Sequence, residues 1–440
     1  MNYAAALQLL LSLPDMERKS AGPLARTMNL EAMRDLLKLL GNPQEGRRTV
    51  HVTGSKGKGS TSAYIAGMLN AAGKSTALYT SPHLHQYTER VCLNLIPIGE
   101  LEFASAVDAI AAAVEQIHHS SLGPISTFGI TTALFFYVAR QQNVDWQIVE
   151  VGLGGTFDAT NVFAGKDLAV ITAISLEHTA ILGATASQIA ENKAGIITPG
   201  STVILAPQAD PSVPPVIAQR CRQVGADLIS VAEAYTIEPL KVEGLQHQCL
   251  ITGAGKSRLL TLRMAGVHQL NNLATAVAAV DALNASGEAI ADECVAQSAA
   301  NVSVAGRIDC LSQAPLVVAD GAHNGESAAA LSAALRRHFK FGRCIVVLGT
   351  NSDKNTLEIV SALADIADLF IATRSKSEKA LEPALILETA RQSGFECQIS
   401  ASLDEALRAA LCLAGPQDLI CITGSLYLVA EAREFFGYAQ

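Results

Sequence analysis

A glycine-rich segment near the N-terminus has the composition of a phosphate-binding loop. Residues 50–63 are VHVTGSKGKGSTSA, a short β-branched run followed by three glycines within six residues. Such glycines let consecutive backbone N–H groups face one anion, Lys58 adds a positive charge, and a helix beginning near Ser60 adds its positive dipole end. The spacing differs from the common G-x-x-x-x-G-K-[ST] loop. A plain glycine-rich turn would not explain a lysine and a hydroxyl where a helix follows a strand.

Three more polar residues lie in or after predicted strands, near the edge where open α/β sheets bind ligands. Glu150 interrupts the apolar run IVEV, where a buried carboxylate requires a cation or several donors. His178 follows the run LAVITAIS and lies beside Glu150 if their strands are neighbours, while Ser81 follows another strand. A magnesium ion would compensate the Glu150 carboxylate, and the Ser81 hydroxyl could bind the same ion. The alternatives are a carboxylate bound by backbone amides, an ordinary loop histidine and a turn hydroxyl before proline.

Two further groups have open interpretations from the sequence alone. Lys193 lies late in a predicted helix, where its position favours a solvated lysine near the negative end of the helix dipole. Asp320 begins the turn DGAHN between an apolar strand and an Ala-rich helix. Turns of this kind bind ligands, but they also cap helices.

Apolar runs alternate with helical stretches along most of the chain, which predicts parallel α/β sheets. The predicted strands are 50–52, 147–151, 168–174, 202–205, 316–319, 345–348, 370–373 and 419–422. Alternating apolar residues over 239–262 predict a hairpin, and helices are predicted over 272–284 and 289–301. A fresh strand–turn–helix series then begins. We therefore expect two domains, 1–299 and a smaller α/β domain over 300–440.

Composition limits the classes of partner. The chain has 440 residues, 49% of them hydrophobic, so it can bury a large core. No apolar run reaches the roughly 18 residues of a membrane-spanning helix. Its nine cysteines are scattered and never form a C-x-x-C pair, which favours reduced thiols in the cytoplasm. A net charge of −9 without a Lys/Arg-rich run argues against nucleic acid but permits small anionic ligands.

Together these segments resemble the folylpolyglutamate synthase and dihydrofolate synthase family, within the wider Mur ligase family of ATP-dependent amide-forming ligases. The similar blocks, in the family's order, are HVTGSKGKGST, YTSPHL, VEVGLGGTFDATN, ISLEHTAILG, NKAGII, HQLNNLATA, AGRID, DGAHN and ITGSLYLVAEAR. The resemblance implies a P-loop parallel-sheet ATPase domain followed by a smaller Rossmann-like glutamate-ligase domain. It also implies that ATP phosphorylates a substrate carboxylate and that L-glutamate attacks the acyl phosphate, releasing ADP and phosphate.

The same resemblance implies roles for individual residues. It implies that ATP is bound by Gly57, Lys58, Gly59, Ser60, Asn272, Arg307 and Asp320, and that magnesium is bound by Ser81, Glu150 and His178. It implies that Lys193, Lys58 and His323 are catalytic. It also implies that Asp158, Ala159, Thr160 and Phe128 contact the pterin substrate. Lys193 corresponds to a lysine that these ligases carry as a carbamate, which converts a cation into an anion near the metal.

One departure from the family pattern leaves the acceptor open. Gly129 stands where many relatives carry glutamate near the pterin pocket, so the acceptor is dihydropteroate, a reduced folate, both, or another carboxylate. A nucleotide-binding protein without turnover is a further alternative, which the joint presence of the charged candidates disfavours. We expect a cytoplasmic monomer that binds ATP, L-glutamate and a folate or pteroate, and neither nucleic acid nor a membrane.

Overall fold

The computed structural model describes residues 1–13 and 30–438. The described residues form two compact units. The N-terminal unit comprises Met1–Pro239, Cys249–Thr261 and Gln269–Val302, and the C-terminal unit comprises Leu240–Gln248, Leu262–His268 and Ser303–Gln440, each within the described ranges. The assignment of functional domains to 1–299 and 300–440 stays a prediction.

An eight-stranded sheet forms the centre of the N-terminal unit. Its strands are β1 (Arg48–Thr53), β2 (Thr76–Tyr79), β3 (Val91–Leu93), β4 (Ile96–Pro97), β5 (Trp146–Glu150), β6 (Leu168–Ile171), β7 (Thr202–Leu205) and β8 (Asp227–Ser230). The order is β4-β3-β2-β5-β1-β6-β7-β8. All neighbours are parallel except β2 with β3 and β3 with β4. The glycine-rich segment therefore follows a central strand, β1.

Helices pack against this sheet and build the rest of the unit. They are α1 (Tyr3–Leu11), α2 (Leu30–Leu39), α3 (Lys58–Ala71), α4 (Glu100–His118), α5 (Thr127–Gln141), α6 (Thr179–Leu182), α7 (Ala186–Lys193), α8 (Val213–Val224), α9 (Val231–Ala234), α10 (Val267–Ala285) and α11 (Asp292–Asn301). Small residues let α3 pack closely: a Cβ on Gly67 would lie 2.5 Å from Ser298 Oγ, which itself donates to Tyr64 O at 3.0 Å. This contact between α3 and α11 fixes the helix that begins at the glycine-rich loop.

Three strands occupy the region for which the sequence predicts a hairpin. They are β9 (Tyr235–Glu243), β10 (Gln246–Gly253) and β11 (Lys256–Leu262), in the order β11-β10-β9. Short Gly-containing turns join them at 244–245 and 254–255. The region predicted as a hairpin thus contains three strands rather than two, and the first of them begins upstream of the predicted region, at Tyr235.

The C-terminal unit contains a six-stranded sheet in the order β12-β13-β17-β14-β15-β16. Its elements are β12 (Asp309–Gln313), β13 (Leu316–Ala319), α12 (Gly325–His338), β14 (Cys344–Leu348), α13 (Thr356–Leu363), β15 (Leu369–Ala372), α14 (Pro383–Gln392), β16 (Cys397–Ile399), α15 (Leu403–Leu413), β17 (Leu419–Thr423) and α16 (Leu426–Phe435). All pairs are parallel except β12 with β13. The predicted α/β class with parallel sheets is confirmed.

Local sequence explains where the C-terminal elements begin. The Asn324 side chain accepts from Ser327 N at 2.9 Å and caps α12, whose last turn carries Arg336, Arg337 and His338 near its negative dipole end.

Across residues 1–13 and 30–438, the helices are all too short or too polar to cross a membrane.

Candidate nucleotide and substrate site

The turn after β1 requires glycine at two positions. Gly54 has a φ of +149°, and a Cβ there would lie 1.8 Å from Thr172 Oγ1. Gly57 has a φ of +85°, and a Cβ there would lie 2.2 Å from Asn272 Oδ1. Any larger residue would collide or be strained. The sequence therefore forms a tight loop between β1 and α3, and Asn272 lies directly against it.

Hydrogen bonds within the protein hold the loop in place. The backbone N–H groups of Ser55 and Lys56 both donate to Ala173 O, at 2.8 and 3.0 Å. The Ser55 hydroxyl donates to Ser175 O at 2.9 Å. Helix α3 then begins at Lys58 after Gly57, which has no side chain to cap the first N–H groups. These N–H groups and the helix dipole suit an anion such as a phosphate.

Two lysine amines approach the loop from different elements. Lys58 Nζ donates to Gly54 O at 3.1 Å, and Lys193 Nζ donates to the same carbonyl at 2.8 Å. Lys193 also pairs with Glu177 Oε1 at 3.1 Å. The Lys193 residue is 1% exposed, so the interpretation as a solvated lysine is wrong. Burial lowers the pKa of Lys193 to about 8, with a further lowering by Lys58 that Glu177 opposes.

Glu150 is the last residue of β5 and faces the start of α3. Every residue of that strand is buried, and Glu150 itself is 5% exposed. Its Oε2 lies 3.4 Å from the position of a Cβ on Gly59. The structure therefore brings the buried carboxylate and the glycine-rich loop together, which their separation in sequence did not require.

The other two predicted metal ligands differ in their placement. Ser81 follows β2, which is hydrogen-bonded to β5, with Tyr79 paired to Val149. His178 follows β6, and β1 lies between β5 and β6. The strands of His178 and Glu150 are therefore not neighbours, so the condition under which His178 would lie beside Glu150 is not met. Two strand spacings amount to about 10 Å. His178 is exposed and has a φ of +47° at the start of α6, so its role as a ligand stays a prediction.

Phe128 and the loop 152–161, which we call the substrate loop, are brought together. A Cβ on Gly152 would lie 2.5 Å from Phe128 Cζ, so the ring covers this glycine. Asp158 is buried, and its carboxylate accepts from Leu153 N at 2.8 Å and from Thr160 N at 3.0 Å. Burial raises the pKa of Asp158, although these bonds oppose the rise. Thr160 is buried and Ala159 is half-buried.

Gly129 does not open toward a polar pocket. A Cβ there would lie 2.5 Å from Ile125 Cγ2, 3.7 Å from Ser126 Oγ and 3.9 Å from Met33 Sδ. Ile125 and Met33 are buried in the apolar core around α2 and α5, and Ser126 Oγ accepts from Gly129 N at the start of α5. Glycine at this position is therefore explained by packing against Ile125.

The candidates of the C-terminal unit converge on the turn after β13. Asp320 accepts from Ile308 N and Ala322 N, both at 2.9 Å, and burial raises its pKa although Arg307 opposes the rise. Arg307 Nη1 lies 3.3 Å from the position of a Cβ on Gly321. His323 Nδ1 lies 2.9 Å from Gly321 O, which can only accept, so Nδ1 carries a proton.

Sequence reasoning missed two buried residues near the substrate loop: His51 on β1, which contacts the loop, and Lys166 before β6, which contacts His51. His51 Nε2 lies 2.8 Å from Thr160 Oγ1, and His51 Nδ1 lies 2.8 Å from Lys166 Nζ. The only signal was a basic residue inside the β-branched run VHVT, which is atypical of a strand buried on both faces.

Comparisons with known proteins place this geometry in a family. Residues 306–426 match the glutamate ligase domain of Mur ligases. The chain is 30% identical over 437 residues to the folylpolyglutamate synthase of Lacticaseibacillus casei, covering 99% of this chain and 98% of that protein. It is 32% identical over 414 residues to the dihydrofolate synthase/folylpolyglutamate synthase of Bacillus subtilis, covering 92% and 94%.

A solved structure agrees over the same length. The Mycobacterium tuberculosis folylpolyglutamate synthase complexed with ADP aligns with a TM-score of 0.89 at 28% identity, covering 99% of this chain and 98% of that one. The chain therefore belongs to the folylpolyglutamate synthase and dihydrofolate synthase family of Mur ligases.

Proposed function

We propose that this chain uses ATP to join L-glutamate to a folate, as dihydropteroate, a reduced folate, or both. The observation that carries the proposal is the convergence of three features in the N-terminal unit. The glycine-rich loop precedes an uncapped helix start, Glu150 faces Gly59, and the buried amine of Lys193 contacts Gly54. This combination provides donors for phosphate, a carboxylate for a cation and a reactive amine within one site.

The first step transfers the γ-phosphoryl group of ATP to the acceptor carboxylate, which forms an acyl phosphate and ADP. The N–H groups at the start of α3, from Lys58 to Ser60, bind phosphate, and the Lys58 ammonium reduces the repulsion between two anions. We assign Asn272, Arg307 and Asp320 to ATP binding. The amine of L-glutamate then attacks the acyl carbon, phosphate leaves, and an amide forms. His323 lies in the turn DGAHN that begins at Asp320, in the C-terminal unit, and we assign it to catalysis.

Ser81, Glu150 and His178 are the residues that would hold magnesium. In the part of the chain that the structure describes, no group of three or more His, Cys, Asp or Glu could hold a metal alone. Magnesium is commonly held by one or two carboxylates together with substrate phosphates, so a single buried Glu150 beside the phosphate loop fits it. When bound, the ion neutralises phosphate charge and orients the transferred group.

Lys193 is proposed to carry a carbamate. The neutral amine adds to carbon dioxide, forming an N–C bond and releasing one proton to solvent. Its burial and a pKa of about 8 support the proposal, because part of the lysine is then neutral near physiological pH. The resulting anion would lose its pairing with Glu177 and gain an interaction with Lys58. Bicarbonate enriched in ¹³C should give a carbamate resonance in the wild type and none in Lys193→Met.

We assign binding of the acceptor to the substrate loop and Phe128. The pterin end is proposed to contact Asp158, Ala159 and Thr160, as the family resemblance implies. A non-folate acceptor was left open because of Gly129, but its Cβ direction leads into the apolar contact with Ile125. The geometry therefore does not favour that alternative. We further propose a monomer in the cytoplasm that binds only these small molecules.

The test is glutamate-dependent release of phosphate from ATP and magnesium, with dihydropteroate and tetrahydrofolate supplied separately. Lys58→Met should remove turnover with either acceptor while the fold remains. Lys74→Met is a matched control, because Lys74 lies outside the loop and pairs with Glu288 at 3.0 Å. Absence of release with both acceptors, while ATP still binds, would refute the proposal.

A further inference from the structure

A buried chain of hydrogen bonds runs from Lys166 to the substrate loop. Lys166 Nζ lies 2.8 Å from His51 Nδ1, His51 Nε2 lies 2.8 Å from Thr160 Oγ1, and Thr160 Oγ1 donates to Asp158 Oδ1 at 2.5 Å. The four residues are between 0% and 9% exposed. In such surroundings each polar group needs its partner, because an unpaired one would cost its full desolvation penalty.

The direction of donation is fixed along the chain when Asp158 is ionised. The carboxylate can only accept, so the Thr160 hydroxyl donates to it and accepts from His51 Nε2–H. The histidine is then the Nε2–H tautomer, and its Nδ1 accepts from Lys166. Burial, with a contribution from Lys166, holds the pKa of His51 well below its ordinary value, which keeps the ring neutral as this arrangement requires.

Phe163 encloses the basic end of the chain. Its ring packs edge-on against the His51 ring at 5.5 Å between centroids, and Lys166 Nζ lies 5.2 Å from the same ring centroid. The lysine amine is therefore held between an imidazole and an aromatic face. Lys166 is not a solvated lysine that happens to lie near a loop.

Strand β1 connects this chain of hydrogen bonds to the phosphate loop. His51 and Thr53 are two residues apart, so both point to the same face of the sheet. Thr53 Oγ1 donates to Gly154 O at 2.7 Å, and His51 contacts Thr160. Two residues of one strand thus hold both ends of the substrate loop, and the strand continues into the phosphate loop at Gly54.

We infer that His51 and Lys166 are positioning residues, which hold the substrate loop in the shape and place that the pterin end of the acceptor requires. This inference rests on the proposed function. His51 contacts Thr160 and Lys166 contacts His51, so each acts on acceptor binding through Thr160 and Asp158. Because β1 carries both loops, the acceptor is placed at a set position relative to the bound phosphates.

The test compares steady-state kinetics of Lys166→Met, His51→Leu and His51→Gln. Methionine keeps the length and the packing on Phe163 but cannot donate, so the KM for the acceptor should rise about tenfold, equivalent to about 1.4 kcal/mol. The KM for ATP should stay within about twofold. Glutamine can still donate to Thr160, so the acceptor KM of His51→Gln should lie nearer the wild type than that of His51→Leu.

Val203→Ala controls for loss of stability, because Val203 is fully buried in β7 of the same sheet. It should leave the ratio of the two KM values unchanged. The inference is overturned if Lys166→Met leaves the acceptor KM unchanged, raises both KM values equally, or behaves as Val203→Ala does.

Amide hydrogen exchange at Leu153 and Thr160 separates this inference from the proposed function. If the wild type shows no turnover with either folate, the function fails, yet the exchange experiment still decides the positioning role. Faster exchange of these two amides in Lys166→Met than in Val203→Ala supports it. Equal rates in the two variants contradict it.

Discussion

Replacing Lys193 by methionine should abolish activity without weakening the fold. The lysine is 1% exposed, and its pKa falls from 10.5 to about 8. At about 1.4 kcal/mol per pKa unit, keeping the charged amine buried costs the folded state about 3 kcal/mol at pH 7. This cost is already net of the attraction to Glu177. Methionine removes the cost but also takes a donor away from Gly54 O and from Glu177, and leaving buried acceptors without a donor costs about 1–3 kcal/mol. The variant should therefore be as stable as the wild type or more stable, by about 0–2 kcal/mol.

The pH dependence of stability gives this prediction a sign. The folded pKa lies below the unfolded one, so between pH 8 and 10.5 the unfolded chain binds a proton that the folded chain does not. In buffer freed of carbon dioxide and bicarbonate, where Lys193 is an unmodified amine, wild-type stability gains with rising pH over this window, and Lys193→Met lacks that gain. Chemical denaturation at pH 7 and pH 10, with phosphate release at pH 7.5, measures both effects.

A merely structural lysine would behave differently. If Lys193→Met were destabilised by about 3–5 kcal/mol, the loss that follows when a buried charge is left without its partner, the amine would be holding the fold together. Retained turnover in a stable variant would equally refute the assignment. If the variant keeps its stability but loses its activity, Lys193 is needed for function and not for folding.

Three further predictions follow from the geometry. Gly57→Ala should weaken ADP binding, measured by calorimetry, at least tenfold. Gly73 has a similar φ of +78° but open space around the position of a Cβ, so Gly73→Ala should leave ADP affinity unchanged. An equal loss of ADP affinity in the two variants would contradict the assignment of the loop to phosphate binding. Gly129→Ala should lower stability by about 1–2 kcal/mol, because its Cβ meets Ile125, without changing which folate is used; a switch of acceptor would show that the position selects substrate. His247 is fully buried, and burial lowers its pKa to about 4, so the unfolded chain binds a proton below pH 6.5 that the folded chain does not. The contribution of His247 to stability should fall by about 2 kcal/mol from pH 7 to pH 5, and His247→Leu should remove that part of the total fall; an unchanged pH profile would refute it.

Much of the fold could be predicted because its central strands are continuous apolar runs. Strands such as β1, β7 and β13 are nearly fully buried, and their β-branched residues stand out against the helices. The short strands β12 and β16 escaped prediction because they are partly exposed at the edges of their sheet. Their pairing is set by neighbouring strands, which local sequence does not reveal.

The site was harder to predict because its contacts are long-range. Glu150 was identified by the anomaly of a carboxylate in an apolar strand, and the structure supports that argument. The sequence predicted a solvated Lys193, because the end of a helix is usually exposed. Residues 54 and 177, which bond to its amine, are distant in sequence, so this burial could not be read from local sequence. His178 depended on an assumed strand order, and crossover connections placed β1 between the two strands.

The most direct test of the account is phosphate release measured with and without L-glutamate, for dihydropteroate and tetrahydrofolate separately, in the presence of ATP and magnesium. We predict glutamate-dependent release with at least one of these acceptors, lost in Lys58→Met and retained in Lys74→Met. Nucleotide binding without glutamate-dependent release with either acceptor would contradict the account.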